Sequence, residues 1–93
     1  MKIIILVPIY NDWQSASKLL EEINSNIAGL ECQFSVIIVN DASSEKQSIS
    51  ALNTENLMSI KIVNMNENRG HARCIATGLK HIFEKEEFDY VIP

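Results

Sequence analysis

Short apolar runs alternate with longer amphipathic segments along the chain. Residues 3–7 form a continuous apolar run, and residues 34–40 contain four consecutive β-branched or aliphatic positions. Such runs are typical of strands covered on both faces, as in a parallel sheet. Residues 60–63 alternate between apolar and polar, which predicts a third, less buried strand near a sheet edge. A fourth strand is predicted to begin near Phe88 and to continue to the end of the sequence.

The segments between these strands have helical periodicity. Asp12 is a plausible N-cap, and Gly29 supplies a C-terminal stop for the first helix. Ser44-x-x-Gln47 has capping-box spacing and predicts a brief helix over residues 45–52. A third helix is predicted to open at Gly70. The apolar positions that define the two long helices are Ala16, Leu19, Leu20, Ile23 and Ile27 in the first, and Ala72, Ile75, Ala76, Leu79, Ile82 and Phe83 in the last.

The alternation of strands and helices predicts an α/β fold, a Rossmann-like parallel sheet with right-handed crossovers and helices on both faces. Pro8 cannot donate to a strand ladder, so the first strand is expected to end there. Parallel strands end at the same edge of a sheet, where open α/β folds bind ligands. The loops at residues 8–11, 41–44 and 67–70 are therefore expected to converge.

Composition narrows the class of protein. The 93 residues are 46% hydrophobic and 22% charged, as expected for one globular domain over residues 1–93 without a membrane helix. The net charge of −4 and the lack of a Lys/Arg cluster argue against a nucleic-acid partner. Two cysteines are too few for a disulfide framework, and the first residues lack a signal-peptide pattern. A cytoplasmic location is the expectation.

Polar and aromatic side chains at the predicted sheet edge indicate a nucleotide site. Tyr10 offers a surface on which a nucleobase can stack, and Asp41 can accept a hydrogen bond from a base edge. Arg73, one turn into the last helix, can pair with a phosphate. The alternative is structural: Tyr10 covers the core, Asp41 caps a turn, and Arg73 is a solvated helix residue.

Several common nucleotide, phosphate and metal sites are excluded because their sequence motifs are absent. The turn after the first strand has no Gly-x-Gly-x-x-Gly, and no P-loop sequence occurs anywhere in the chain. A receiver-like signalling domain requires an aspartate after the third strand, and the loop at residues 64–69 has none. His71, Cys74 and His81 are spaced by three and seven residues with no fourth ligand, so no metal site is assigned within the chain.

Three motifs together resemble a known family. Residues 7–12 (Val-Pro-Ile-Tyr-Asn-Asp), 39–43 (Val-Asn-Asp-Ala-Ser) and 68–78 (Asn-Arg-Gly-His-Ala-Arg-Cys-Ile-Ala-Thr-Gly) are similar, in order and separation, to the motifs of family 2 glycosyltransferases of the GT-A fold. The resemblance covers essentially the whole chain. Ala76, where many members have Asn, makes the third motif more similar to the polyprenyl-phosphate sugar transferase branch, which is membrane-associated.

The resemblance implies transfer of a sugar from a nucleotide-diphosphate donor to an acceptor that the sequence does not identify. By position, Pro8 and Tyr10 are expected to line the base and ribose pocket, and Asp41 to hydrogen-bond the base. Gly70 and Arg73 are expected near the nucleotide and its phosphates. Asn11 and Asp12 are expected to be structural.

The resemblance also implies that part of the machinery lies outside this sequence. The family uses an Asp-x-Asp-type motif after the fourth strand to hold a divalent cation, Mg²⁺ or Mn²⁺, against the diphosphate. The chain stops at Pro93, before that motif, so no catalytic residue is assigned here and the chain alone is expected to be inactive. Its fourth strand is expected to expose an edge through which two copies can pair. The alternative function is a non-catalytic nucleotide-binding or regulatory α/β domain.

Overall fold

A computed structural model describes residues 1–50 and 53–93 as four parallel strands with a helix on each face of the sheet. The predicted α/β class with a parallel sheet and helices on both faces is confirmed. The elements, in chain order, are β1 (Lys2–Ile9), α1 (Trp13–Asn26), β2 (Gln33–Asn40), β3 (Leu57–Asn64), α2 (His71–Lys85) and β4 (Tyr90–Ile92).

The strand order is β3-β2-β1-β4, so β1 and β2 lie in the middle and β3 lies at one edge, as predicted. The β1–β2 register pairs Lys2 with Gln33 and continues without interruption to Ile9 and Asn40. Strand β4 pairs with β1 only over Tyr90–Ile92, opposite residues 3–5. The carboxyl ends of β1, β2 and β3 therefore lie side by side at one edge of the sheet.

Pro8 lies inside β1, so the expected strand end at Pro8 is wrong by one residue. The carbonyl of Ile9 points toward β2, where it accepts the Asp41 N–H at 2.9 Å. Because successive residues of a strand point to opposite sides, Pro8 faces the β4 side. Strand β4 reaches only to the level of Ile5, so the missing N–H of Pro8 leaves no ladder bond unmade.

Helix α1 covers one face of the sheet with Trp13, Ala16 and Leu20, which pack on alternate residues of β1 and β2. The predicted start and stop are confirmed, with Asp12 at the N-cap position and Gly29 in a left-handed conformation. The Asp12 side chain makes no capping hydrogen bond, which corrects its predicted role. Leu19 is exposed and is not part of the packed face.

Helix α2 covers the other face with Cys74, Gly78 and Ile82, and with the half-buried Ile75 and Leu79 beside them. The predicted apolar face was therefore rotated from the true one. Three of its positions are exposed in the structure, and Phe83 is 73% exposed with its ring edge against Phe88. Small residues explain the error, because Gly78 and Cys74 allow α2 to lie close to the sheet without contributing strong hydrophobic signals. The three exposed positions are Ala72, Ala76 and Phe83.

No helix forms over residues 45–50, so the helix predicted for 45–52 is wrong there, and residues 51 and 52 lie outside the described residues. Side chains from elsewhere satisfy this segment instead. Glu45 N–H donates to Asn11 Oδ1 at 2.9 Å, and Ser50 N–H donates to Ser17 Oγ at 2.9 Å. Strand β4 begins at Tyr90, two residues later than predicted, since Phe88 packs instead in the core under α2.

Candidate functional site

Hydrogen bonds join the loops at the carboxyl edge of the sheet. Asn11, after β1, donates its backbone N–H to Ser43 Oγ at 2.9 Å and its side-chain amide to Ser44 Oγ at 3.0 Å. Asn40, the last residue of β2, donates to Asn64 Oδ1, the last residue of β3, at 3.0 Å. Asp41 of the second loop accepts the backbone N–H groups of Arg69 and Gly70 in the third, so the predicted convergence of the three loops is present in the structure.

Two non-glycine residues in these loops have left-handed backbones. Asn11 has φ 58° and Ala42 has φ 54°. Asparagine tolerates this region, but alanine is disfavoured there by its Cβ. Backbone strain of this kind persists where the surroundings enforce it, and it concentrates at functional sites. Here Asn40 Oδ1 enforces it by accepting the Ser43 N–H at 3.0 Å on the far side of Ala42.

A cleft of about 290 Å³ opens at this edge, between the end of β1, the exposed side of α1 and the start of α2. That volume is at the lower end of the range for small-molecule sites and suits one nucleoside-sized group. Pro8 and Tyr10 line the cleft, and Tyr10 is 45% exposed. The remaining lining residues are Val7, Ile9, Asp12, Ser15, Ala16, Leu19 and His71.

Asp41 lies beside the cleft and does not line it. The residue is 1% exposed, and its two carboxylate oxygens accept the backbone N–H groups of Arg69 at 2.7 Å and Gly70 at 2.9 Å. Its own carbonyl accepts the Asn68 amide at 3.3 Å. Each carboxylate oxygen has a second lone pair, and a hydrogen bond from a base N–H to Asp41 stays a prediction.

Burial and hydrogen bonding act in opposite directions on this carboxyl. Burial raises the pKa of Asp41, but the N–H groups of Arg69 and Gly70, the Cys74 thiol and the charge of His71 lower it, and the net pKa lies below its ordinary value. Asp41 is therefore an anion at neutral pH. The same neighbourhood acts on Cys74, where burial and then Asp41 raise the pKa of the thiol to about 11.

Gly70 and Arg73 lie at the start of α2. Gly70 has φ 87° and occupies the N-cap position, where glycine adopts this conformation without strain. Arg73 is exposed on the first turn and does not line the cleft. Of the five residues predicted to bind nucleotide, the structure thus places Pro8 and Tyr10 in the cleft and Asp41 and Gly70 directly behind it, with Arg73 on the helix beyond.

His71 is one of three polar cleft residues, with Asp12 and Ser15, that sequence reasoning did not assign to the site. It was considered only as a metal ligand with Cys74 and His81. A usable signal was present, because the residue after a helix-opening glycine at the carboxyl edge of a sheet faces the same edge as the strand-end loops. Among residues 1–50 and 53–93, no group of three or more His, Cys, Asp and Glu side chains is placed to hold a metal ion.

Comparison with known proteins identifies the family. The sequence model described as glycosyl transferase family 2 matches residues 4–92. An undecaprenyl-phosphate 4-deoxy-4-formamido-L-arabinose transferase from Proteus mirabilis (strain HI4320) is 32% identical over 94 residues, a match that covers 98% of this chain and 27% of that protein. No solved structure gives a significant match.

In the part of the chain that the structure describes, neither helix has the length and apolar character needed to span a bilayer. The chain belongs to glycosyl transferase family 2, and its similarity to a polyprenyl-phosphate sugar transferase agrees with the branch suggested by its third motif.

Proposed function

We propose that this chain is the donor-nucleotide-binding part of a glycosyltransferase that takes a sugar from a nucleotide-diphosphate sugar. Membership of glycosyl transferase family 2 and the similarity to a sugar transferase support sugar transfer in general. The observation that carries the finer statement is the cleft at the carboxyl edge of the sheet, where an exposed aromatic ring, Tyr10, stands beside a rigid proline in a space of nucleoside size. Open α/β sheets bind their ligands at this position.

In this proposal each predicted site residue has a distinct place. Tyr10 stacks on the base and Pro8 forms the floor of the cleft. Asp41 is buried behind the cleft, so a hydrogen bond from the base edge to its carboxylate needs a rearrangement of the neighbouring loop. Gly70 and Arg73 lie toward the phosphates, where the guanidinium pairs with an anionic oxygen. The favourable stacking of a base on an aromatic ring is worth about 1–3 kcal/mol per base.

In this proposal, the residues that catalyse sugar transfer lie outside these 93 residues. A divalent cation, Mg²⁺ or Mn²⁺, neutralises a diphosphate leaving group when bound by carboxylates, and we expect its ligands beyond this chain. The chain spans 27% of the length of its curated relative. We therefore propose that it binds nucleotide but does not transfer sugar alone, and that the parent protein works at the cytoplasmic face of a membrane.

Nucleotide titration followed by amide chemical shifts tests the binding site. We expect uridine or guanosine diphosphate to shift resonances of Tyr10 and His71, and Tyr10→Ala to weaken binding about tenfold, since stacking is lost. Tyr90→Ala is the matched control, because Tyr90 is the other tyrosine of the chain and lies on β4, outside the cleft. Shifts that cluster elsewhere, or equal affinity for both variants, would contradict the proposal.

A non-catalytic nucleotide-binding domain is the second candidate function. The buried Asp41 and the cleft are compatible with it, because they concern binding and not transfer. The residues that follow Pro93 in the parent gene separate the two functions: an Asp-x-Asp motif within a few positions favours the transferase, and its absence favours the binding domain.

A further inference from the structure

Asp41 connects β1, β2 and the segment before α2 through its backbone and its side chain together. Its backbone N–H donates to Ile9 of β1, and its carbonyl accepts the Asn68 amide. Its carboxylate accepts the N–H groups of Arg69 and Gly70 at 2.7 and 2.9 Å. One buried residue thus holds the end of β1 and the segment that leads into α2.

The two N–H groups that Asp41 accepts come from the residues that set the direction of α2. Gly70 has φ 87°, and its carbonyl accepts the Cys74 N–H at 3.1 Å, which starts the helix. The Cys74 thiol, which donates to Met65 Sδ at 3.3 Å, lies beside this carboxylate. A carboxylate suits this place because it has acceptors only, and its two oxygens serve both N–H groups at once.

The next residue, His71, lines the cleft together with Tyr10. We propose that Asp41 is a positioning residue, whose carboxylate fixes the Arg69–Gly70 backbone and thereby sets His71 across the donor cleft from Tyr10. The role in the cleft rests on the proposed function, whereas the fixing of the backbone does not. Asp41 thus contributes to nucleotide affinity through the shape of the cleft, in addition to any contact with a base.

Hydrogen exchange in the Asp41→Asn variant tests the positioning. An asparagine keeps one acceptor oxygen and turns a donor toward the second N–H, so we expect the amides of Arg69 and Gly70 to exchange at least about tenfold faster. Protection of residues 36–39 reports whether the variant is folded. The matched control is Asp89→Asn, because Asp89 Oδ2 accepts the Lys2 N–H at 2.7 Å on the opposite end of the sheet. Asp89 accepts with one oxygen only, which an asparagine can replace, so that control removes a carboxylate charge and is expected to leave exchange at Lys2, Arg69 and Gly70 unchanged.

A second measurement uses the unaltered chain, in case Asp41→Asn does not fold. The amide proton shifts of Arg69 and Gly70 should follow the same titration curve as the Asp41 carboxyl carbon, since protonation weakens both hydrogen bonds. His71 and the Cys74 thiol also face this carboxyl, and the Cys74 thiol stays protonated over the acid range. Amide shifts that do not follow the carboxyl, or unchanged exchange in a folded variant, would overturn the proposal.

Nucleotide binding then separates positioning from direct reading of the base. Loss of cleft shape weakens uridine and guanosine diphosphate by the same factor in Asp41→Asn, whereas a role confined to the base edge weakens one of them selectively and would overturn the proposal. If the unaltered chain binds neither uridine diphosphate nor guanosine diphosphate, the proposed function fails. The exchange result still decides whether Asp41 fixes the backbone.

Discussion

The buried carboxylate of Asp41 makes the site sensitive to acid at the scale of a single residue. The pKa of Asp41 is lowered in the folded protein, whereas the pKa of an aspartate in an unfolded chain is about 3.9. Between these two pKa values the unfolded chain binds more protons, so acid favours unfolding. The stabilising contribution of Asp41 is complete above the unfolded pKa and is lost as the pH falls through the folded one.

We therefore predict that the difference in unfolding free energy between the wild type and Asp41→Asn is constant from about pH 7 to pH 5 and shrinks as the pH falls toward 3. The asparagine has no proton to gain, so it lacks this dependence. Urea denaturation at several pH values measures the difference. A difference that remains constant to pH 3 would show that the folded carboxyl titrates as it does in an unfolded chain.

The sequence predicted where Asp41 lies but not what it binds within the protein. Its position at the end of a buried strand followed from the β-branched run before it. Its partners are backbone N–H groups of Arg69 and Gly70, and a backbone donor has no residue-specific signal. The left-handed backbone of Ala42 was missed for a related reason, because alanine gives no indication of the conformation that Asn40 enforces on it.

At the scale of elements, α2 packs closely on the sheet at Gly78. A Cβ at this position would lie 2.5 Å from Leu6 Cδ1 and 2.9 Å from Val39 Cγ2. We predict that Gly78→Ala lowers the free energy of unfolding by about 1–2 kcal/mol, because overpacking costs more than the helix propensity that alanine restores. Chemical denaturation of the two proteins measures the difference.

Thr77→Ala is the control for this prediction, because Thr77 is the neighbouring residue on the exposed side of α2. It raises helix propensity without meeting the sheet, so a change within about 0.5 kcal/mol is expected. A Gly78→Ala variant as stable as Thr77→Ala would mean that α2 moves away from Leu6 and Val39 at little cost.

Element prediction succeeded where the hydrophobic signal was strong and failed where tertiary contacts decided. Strand β2 was predicted almost to the residue because its apolar run is continuous. The helix expected after Ser44 does not form over residues 45–50, since Asn11 and Ser17 provide acceptors for that backbone instead. These acceptors come from more than thirty residues earlier in the chain, where local spacing gives no indication of them.

At the scale of the whole molecule, the two edges of the sheet differ in chemistry. Edge strand β3 carries Lys61, whose ammonium pairs with Glu86 of the segment after α2 at 2.8 Å. Edge strand β4 consists of Tyr-Val-Ile and carries no charge. Charged side chains protect an edge against pairing with another chain, so β4 is the less protected edge. Tyr90 and Ile92 are 59% and 51% exposed on the α1 face.

We propose that β4 pairs with β4 of a second copy, and we predict a dimer at high concentration by light scattering after size exclusion. An antiparallel pair centred on Val91 places Tyr90 of one copy opposite Ile92 of the other, which is a favourable aromatic and β-branched pair. Ile92→Lys is expected to give monomers, because a charge at the edge opposes pairing.

Met58→Lys is the control for this prediction, since Met58 is exposed on the other edge strand. It is expected to leave the dimer intact. Monomers of the unaltered chain at every concentration would refute the pairing, and loss of the dimer in Met58→Lys alone would place the contact at β3.

The parallel pairing of Ile3 with Tyr90 also determines how the chain reaches this structure. These partners are separated by nearly the whole sequence, and the neighbouring strand β2 already pairs with the other side of β1. Closing so long a loop costs entropy before any contact repays it, and folding rates fall as contacting residues become more distant in sequence. We therefore expect β4 to dock late in folding, and until it does, residues 3–5 of β1 have one side open to solvent and to other chains.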